Sequence, residues 1–539
     1  MIARFTSVII FLIATAAVAA PPAATSARPP HKAPRLILQI TVDQLRGDLP
    51  FRYRDEFGDG GFKLFLDHGI WYADAQHPHA QYETAVGHTT LATGAWPSRH
   101  GIISNSLFSE AGVSPDAIMV TTFSDELTIT TNGASKVFAV SAKDRGAVPL
   151  AGHAGKAFWY SDKTGCYDSS TFYFAAPPQW VTDWCATHPA DRWANTNWEL
   201  LHAQETYLFH DVTNVYPKGS VAEQNMLALI GFGFGRTFPH PLGSGRTLYR
   251  NLMLSPQGDE LTADFAMELM RHERLGHHRS TDYLAISFSM TDFIAHWFSP
   301  TSLESEDNLL RLDRTLRRLF AFVDATVGLD QTLIVLSADH GGPEYPEYLA
   351  TLGVPTGRLT TAQVREAAAN ALARRYPSTN FITSYSPPYF FLDHSAVEAA
   401  GLPEGEVEAV IAEAVMDVPG IAFAVPTVQL LNGGGRADQE LLEHLRRNYY
   451  PRRSGDVYVV PQAQWQLDDP QGINLLQHST PWEYNAYVPV AFAGSHLPHS
   501  MIYRPISTTD VAATLASWMK TKFPSGNVGA PLSEVLGKE

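Results

Sequence analysis

Four short, mainly apolar runs, at residues 36–42, 284–290, 332–336 and 488–493, constrain the fold most, because each puts apolar residues on both sides of an extended chain and gives way to polar residues. A strand of that kind has to be covered on both faces. Helical patterns separate the runs: residues 305–327 place Leu309, Leu312, Leu316, Leu319, Phe320 and Val323 at helical spacing, and residues 508–520 repeat the theme. Strands alternating with such helices predict an α/β chain whose mostly parallel sheet carries helices on both faces. A chain of 539 residues, 45% of them hydrophobic, has ample material for that core.

The pattern changes over residues 344–461, where smaller segments are broken at Pro387-Pro388 and Gly433-Gly434-Gly435 before the core-like pattern resumes. We read an inserted, smaller α/β subdomain there, with the core formed by residues 35–343 and 462–539. A second irregular stretch, rich in aromatics, runs from residue 147 to about residue 240.

The N-terminus has one cation, Arg4, an apolar run over residues 8–20, small residues Ala17, Ala19 and Ala20, and then Pro21-Pro22. This predicts a signal peptide at residues 1–20 and a Pro/Ala/Ser linker at residues 21–34, hence a periplasmic or secreted protein. No later run reaches the ~18 apolar residues of a permanent membrane span. With 39 Lys+Arg against 55 Asp+Glu, a net charge of −16 and no basic run, the composition argues against nucleic acid as a partner. Cys166 and Cys185 are the only cysteines. An oxidising compartment lets them pair, closing a loop of about 20 residues for about 3 kcal/mol, with two separate buried thiols as the alternative. Oligomeric state is not legible.

Loops at the carboxyl ends of parallel strands are where ligands bind. Asp43 follows the first run, Asp292 and His296 the second, Asp339 and His340 the third, and His478 precedes the fourth. Singly, each has an ordinary explanation, such as a helix N-cap or a loop histidine. Jointly they suit metal. Asp292 and His296 are four apart, on one side of a helical turn. Asp339 and His340 converge if the strand ends there, and Gly341-Gly342 permit a tight turn. Three carboxylates and three imidazoles favour zinc over calcium or copper(I), and are too many for one tetrahedral ion. Two ions about 4 Å apart would use them and leave open positions for substrate.

Thr84 opens a helical segment, either as a cap or as a hydroxyl at the positive helix end, where phosphate binds and a zinc contact would make the oxygen a nucleophile. His88 reads as a packed structural residue. Asn105 offers an amide to a phosphate oxygen. Lys143 and Arg145 are two apart, so on an extended segment they share a face and reach one dianion, although Lys143-Asp144-Arg145 also fits a solvated surface triplet.

Thr-Val-Asp-Gln-Leu-Arg at 41–46, Thr84 through His88, His100-Gly101-Ile102-Ile103-Ser104-Asn105, Lys143-Asp144-Arg145, Asp292 with His296, and Ala338-Asp339-His340-Gly341-Gly342 occur in that order. Together they resemble the alkaline phosphatase superfamily, in particular secreted bacterial alkaline phosphatases with a threonine nucleophile, relatives of the type I phosphodiesterases and nucleotide pyrophosphatases. The resemblance implies that Asp292, His296 and His478 hold one zinc ion and Asp43, Asp339 and His340 another, with Thr84 between them, and that Asn105, Lys143 and Arg145 clamp the phosphoryl oxygens. It also implies that small-molecule phosphate monoesters are hydrolysed through a phosphothreonine, since the Lys/Arg pair belongs to the monoesterase branch. The alternatives are a phosphodiesterase on the same metal frame and a non-catalytic metal-stabilised protein of the cell envelope. Two departures stand out: Ala85-Val86 where relatives have Gly-Pro, and Ser479 where His-Gly is usual. Ala95 in Ala95-Trp96-Pro97-Ser98-Arg99 excludes the formylglycine chemistry of sulfatase relatives.

Overall fold

The computed structural model describes residues 33–107, 113–212, 233–377, 379–432, 439–468 and 476–537. The expected signal peptide, all of the expected linker but its last two residues, and Gly433-Gly434-Gly435 lie outside the described residues.

The core is a nine-stranded sheet. In chain order its strands are β1 (Leu36–Val42), β2 (Ile70–Tyr72), β3 (Val137–Ser141), β4 (Lys156–Ser161), β5 (Cys166–Asp168), β6 (Asp282–Phe288), β7 (Thr332–Ser337), β8 (Val490–Gly494) and β9 (Ser500–Ile502). They lie in the order β9-β2-β8-β7-β1-β6-β3-β4-β5. From β7 through β4 every pair is parallel, whereas β8 runs antiparallel to β7 and β5 to β4. The helices that matter for the site are α1 (Thr84–Thr93), α2 (Asp144–Ala151), α3 (Met290–Phe298), α4 (Leu303–Thr326) and α5 (Asp510–Met519).

Alternation along β1 sends apolar residues to both faces of the sheet, with Gln39 and Thr41 the polar exceptions. Leu36, Leu38, Ile40 and Val42 join a cluster with Leu312, Leu316 and Leu319 of α4. Ile37 points into another cluster, with Val86 of α1, Val148 of α2 and Leu515 of α5. The sheet is thus covered on both faces, as the sequence predicts.

The stretch from residue 147 to residue 240 is less irregular than expected, because β4 and β5 extend the sheet to its edge. Their aromatic residues pack rather than mark a loop: Phe158 stacks on Phe174, and Tyr167 on Phe265. Cys166 and Cys185 form a disulfide that ties β5 to the helix Gln179–Ala186.

Within residues 344–461 a four-stranded sheet forms in the order Ile382–Ser386, Tyr389–Leu392, Val457–Pro461, Ile421–Pro426. It has an apolar cluster of its own, including Val364, Leu372, Phe390, Ile411 and Val459. Strand Trp465–Asp468 pairs with Gly357–Thr360, so chain just past residue 461 packs with this sheet's neighbourhood. A smaller cluster joins Ala80 and Ile103 to Tyr389, Leu445 and Tyr458. Among the described residues no helix is long and apolar enough to cross a membrane.

Candidate active site

Because β1 lies between β6 and β7 and all three run in one direction, their carboxyl ends open onto a single crevice. Asp43 follows β1, Asp292 enters with α3 after β6, and Asp339 and His340 follow β7. His478 arrives from the chain ahead of β8. The six side chains are buried and form two groups, Asp292 with His296 and His478, and Asp43 with Asp339 and His340; ligand atoms within each group lie within 4.8 Å of one another. His340 and His478 stack with ring centroids 3.8 Å apart, so the groups adjoin.

The imidazoles are oriented for coordination. His296 Nδ1 lies 2.5 Å from the Leu476 carbonyl, His478 Nδ1 2.5 Å from that of Tyr82, and His340 Nδ1 2.9 Å from that of Gly341. A carbonyl only accepts, so each Nδ1 carries the proton and each Nε2 presents a lone pair. These Nε2 atoms face carboxylates: His296 and His478 lie 3.2 and 3.4 Å from Asp292 Oδ1, and His340 lies 3.6 Å from Asp43 Oδ1. Asp43 Oδ1 and His340 Nε2 are buried without a hydrogen-bond partner. Donors of this kind, crowded and unsatisfied, fit divalent cations.

Electrostatics divides the carboxylates. Burial, reinforced by Asp339, pushes Asp43 well above the usual range. Burial acts the same way on Asp292, but His296 and Lys143 overcome it and hold that group well below the range. Asp339 is likewise lowered, its burial outweighed by His340 and His88. Burial holds the His340 imidazole neutral, with a pKa lowered to about 3.

Thr84 is the first helical residue of α1; Glu83, extended at φ −128°, is the residue at the cap position. The Thr84 hydroxyl is therefore not spent on capping. Lys143 Nζ approaches it to 3.3 Å, lies 2.6 Å from Asp43 Oδ2 and contacts Asp292 Oδ2. Burial disfavours the Lys143 charge, yet Asp292 and Asp43 together raise its pKa above the ordinary value.

Lys143 and Arg145 do not lie on an extended segment: β3 ends at Ser141, Lys143 caps α2, and Arg145 is inside its first turn. The helical turn separates the two directions, so Lys143 is 3% exposed between the groups while Arg145 is half-buried, with its Nε unpartnered. Asn105 sits at the start of α1, its Oδ1 accepting from Ala85 N at 2.9 Å and its backbone N–H donating to Glu83 Oε2 at 2.6 Å.

The glycines serve a purpose other than the expected turn. Gly341 and Gly342 stay outside the left-handed region. They permit close approach: a Cβ on Gly341 would lie 2.3 Å from the Tyr484 carbonyl, and one on Gly342 2.1 Å from the Gln44 side chain.

With this geometry in place, the comparisons are specific. The sequence model of the type I phosphodiesterase / nucleotide pyrophosphatase family matches residues 37–483. The chain belongs to that family. It is 30% identical over 533 residues to a calcium-transporting ATPase of Myroides odoratus, covering 93% of this chain and 95% of the relative. It is 30% identical over 528 residues to alkaline phosphatase PhoV of Synechococcus elongatus, covering 93% of both. Alkaline phosphatase PafA of Elizabethkingia meningoseptica is 29% identical over 534 residues. The crystal structure of wild-type PafA superposes with a TM-score of 0.84 at 28% identity, covering 94% of this chain and 99% of PafA. This member of the type I phosphodiesterase / nucleotide pyrophosphatase family thus has the alkaline phosphatase fold.

Three supporting residues escaped the sequence reading. Gln44, left-handed at φ 61°, donates its backbone N–H to Asp339 Oδ1 at 3.1 Å, and its amide nitrogen reaches Asp292 Oδ1 at 2.9 Å in the orientation that satisfies both ends of the amide. Glu83 fixes Asn105. His88, read as purely structural, lies 3.1 Å from Asp339 Oδ2 and 2.8 Å from Ser287 Oγ, and so orients a carboxylate of the site. The available signal was adjacency: Gln44 follows Asp43, Glu83 precedes Thr84, and His88 lies one helical turn on from Thr84.

Proposed function

We propose that this chain is an exported alkaline phosphatase that hydrolyses small-molecule phosphate monoesters through a phosphothreonine at Thr84, with one zinc ion held by Asp292, His296 and His478 and another by Asp43, Asp339 and His340. The observation that carries the reading is the position of the Thr84 hydroxyl beside Lys143, which itself contacts a carboxylate from each group. The relatives support phosphate-ester hydrolysis: two are named alkaline phosphatases, and the name of the third, an ATPase, also denotes phosphate release. The Cys166–Cys185 disulfide supports an oxidising compartment.

Zinc ions bound there would act as Lewis acids on the phosphoryl and departing oxygens. The chain's own residues do the rest. The positive end of α1, whose Ala85 N–H already donates to Asn105 Oδ1, favours an anion in front of Thr84. The Lys143 ammonium stabilises the ionised hydroxyl and the charge on the transferring group, and Asn105 and Arg145 add donors for its oxygens. Thr84 Oγ1 attacks phosphorus, the ester oxygen leaves, and water then releases inorganic phosphate from the phosphothreonine. A dianionic monoester gains more from Lys143 and Arg145 than a monoanionic diester does. The family's name keeps phosphodiester hydrolysis as the second reading.

Release of the phenol from an aryl phosphate and from a bis-aryl phosphate separates the two readings. Monoester turnover should dominate, vanish on chelation and vanish in Thr84→Ala; a fully active Thr84→Ala protein, or faster diester turnover, would refute the proposal.

A further inference from the structure

Between the loop that carries Asn105 and the inserted segment lies a cavity of about 450 Å³. Ile103 and Leu107 wall it on the core side, and Pro388, Tyr389 and Phe391 on the other. Ser104 and Ser106, the chain neighbours of Asn105, also line it and are joined by a hydroxyl contact of 2.7 Å. Gln81 lines it too, and its side-chain amide donates to Glu83 Oε1 at 2.6 Å, one residue before Thr84. Residues that line the cavity are therefore tied, by chain adjacency or by a hydrogen bond, to Asn105 and to Glu83 beside Thr84.

Its charge is one-sided. Among the described residues no acidic side chain lines it, although the chain carries −16 overall. Of its two arginines, Arg453 is committed to the carbonyls of Gly101 and Ala117, at 2.6 and 2.8 Å. Arg452 is exposed, left-handed at φ 68°, and makes no hydrogen bond or ion pair among the described residues. A chamber whose lining mixes apolar and aromatic walls with hydroxyls and one uncommitted guanidinium suits a ring-sized body that carries an anion.

We propose that this cavity receives the leaving group of the phosphate ester, and that it selects leaving groups joining a ring-sized apolar body to a second anionic group, which Arg452 meets. This inference rests on the phosphate-ester reading above and assigns the inserted segment a part in specificity. The scissile phosphoryl stays at Thr84; the departing alcohol or phenol occupies the cavity.

The test compares naphthyl phosphate with its sulfonated analogue on the zinc-loaded full chain. Asparagine tolerates left-handed backbone, so Arg452→Asn preserves the turn, while Arg452→Glu reverses the charge. Both should lower the ratio of kcat/KM for the sulfonated over the plain ester, by about fivefold or more in Arg452→Glu. Calorimetry on Thr84→Ala and on Thr84→Ala/Arg452→Glu should show the same loss in affinity for the sulfonated ester, without turnover. Ratios unchanged in both variants, with unchanged affinity, would overturn the cavity assignment and leave the phosphatase reading standing. Phosphate release from neither ester by the native chain would instead reject that reading, and the calorimetry would then decide the cavity alone.

Discussion

The Lys143 ammonium lies 2.6 Å from Asp43 Oδ2, and so couples the proposed substrate clamp to the carboxylate that burial pushes well above the usual range. Removing it should act twice. Lys143→Met keeps the side-chain length and discards the charge. Monoester kcat/KM should fall by about 10²–10³-fold, the scale for deleting one charge-stabilising donor. Diester turnover should fall much less. In chelator-treated protein, the same variant leaves Asp43 and Asp292 facing one another without a counter-charge, and the urea midpoint should drop by the equivalent of about 3–5 kcal/mol. Equal losses on monoester and diester would show that Lys143 only supports the fold.

Gly87 brings α1 against the strand end that carries Asp339. A Cβ at this position would lie 2.0 Å from the Asp339 carbonyl oxygen, a contact that backbone cannot absorb in place. Gly87→Ala should push Thr84 and Asp339 apart, cost about 1–3 kcal/mol in overpacking, and lower turnover about 10²-fold through misplacement. Ala92→Gly, on the same helix and away from the contact, controls for helix propensity. If Gly87→Ala turns over normally, α1 does not position the nucleophile in this way.

The sheet core was legible because β1, β6, β7 and most of β8 are buried on both faces and so carry mainly apolar runs, with only a few small or amide polar residues such as Gln39, Thr41 and Ser287 among them. Four members of the candidate metal-binding groups, Asp43, Asp292, Asp339 and His340, were legible for the same reason, since each follows a strand end, whereas His296 lies one helical turn past Asp292 and His478 in the chain ahead of β8. Strand β4 and the edge strand β5 were hidden by aromatics such as Phe158 and Tyr167, whose packing partners lie outside the strands themselves. The side chains of Lys143 and Arg145 were placed on one face because the strand-to-helix junction between Ser141 and Asp144 leaves no mark in a tripeptide. Gln44 and Glu83 act through contacts across the fold, Gln44 with Asp339 at a separation of 295 residues, which no local pattern encodes.

Behind α1, three buried histidines give the fold a defined acid limit. His79 and His100 each place Nε2 3.2 Å from Thr90 Oγ1, whose hydroxyl donates to the Val86 carbonyl, and His77 lies between the Ala338 carbonyl and Thr508. Burial lowers the pKa of His77 to about 4 and of His100 to about 3, and depresses His79 as well. Unfolded, each would titrate near 6.5. Between these values the unfolded chain binds protons that the folded chain refuses, so stability is full above about pH 6.5 and declines as pH falls below it. His77 and His100 should each account for a loss on the order of 3 kcal/mol by about pH 4, and His79 adds to it in the same direction. The urea midpoint should fall between neutral pH and about pH 5, and less steeply in His100→Asn. An identical pH slope in that variant would exclude His100 as a source.

The disulfide allows stability and turnover to be separated. Cys166 in β5 and Cys185 in the helix Gln179–Ala186 are 19 residues apart in sequence. Closing a loop of that length restricts the unfolded chain by about 3 kcal/mol in the chain-entropy account. β5 is the terminal strand of the sheet, four positions from β1, whose end carries Asp43. Replacing both cysteines by alanine should therefore lower the urea midpoint and hasten thermal inactivation, while kcat/KM for an aryl phosphate stays within about twofold, because the cross-link acts chiefly on the unfolded chain. Dithiothreitol should mimic the double variant on the native chain and have no effect on the variant itself. A large loss of kcat/KM at low temperature, where both proteins stay folded, would show that the edge strand sets the geometry of the site rather than its durability.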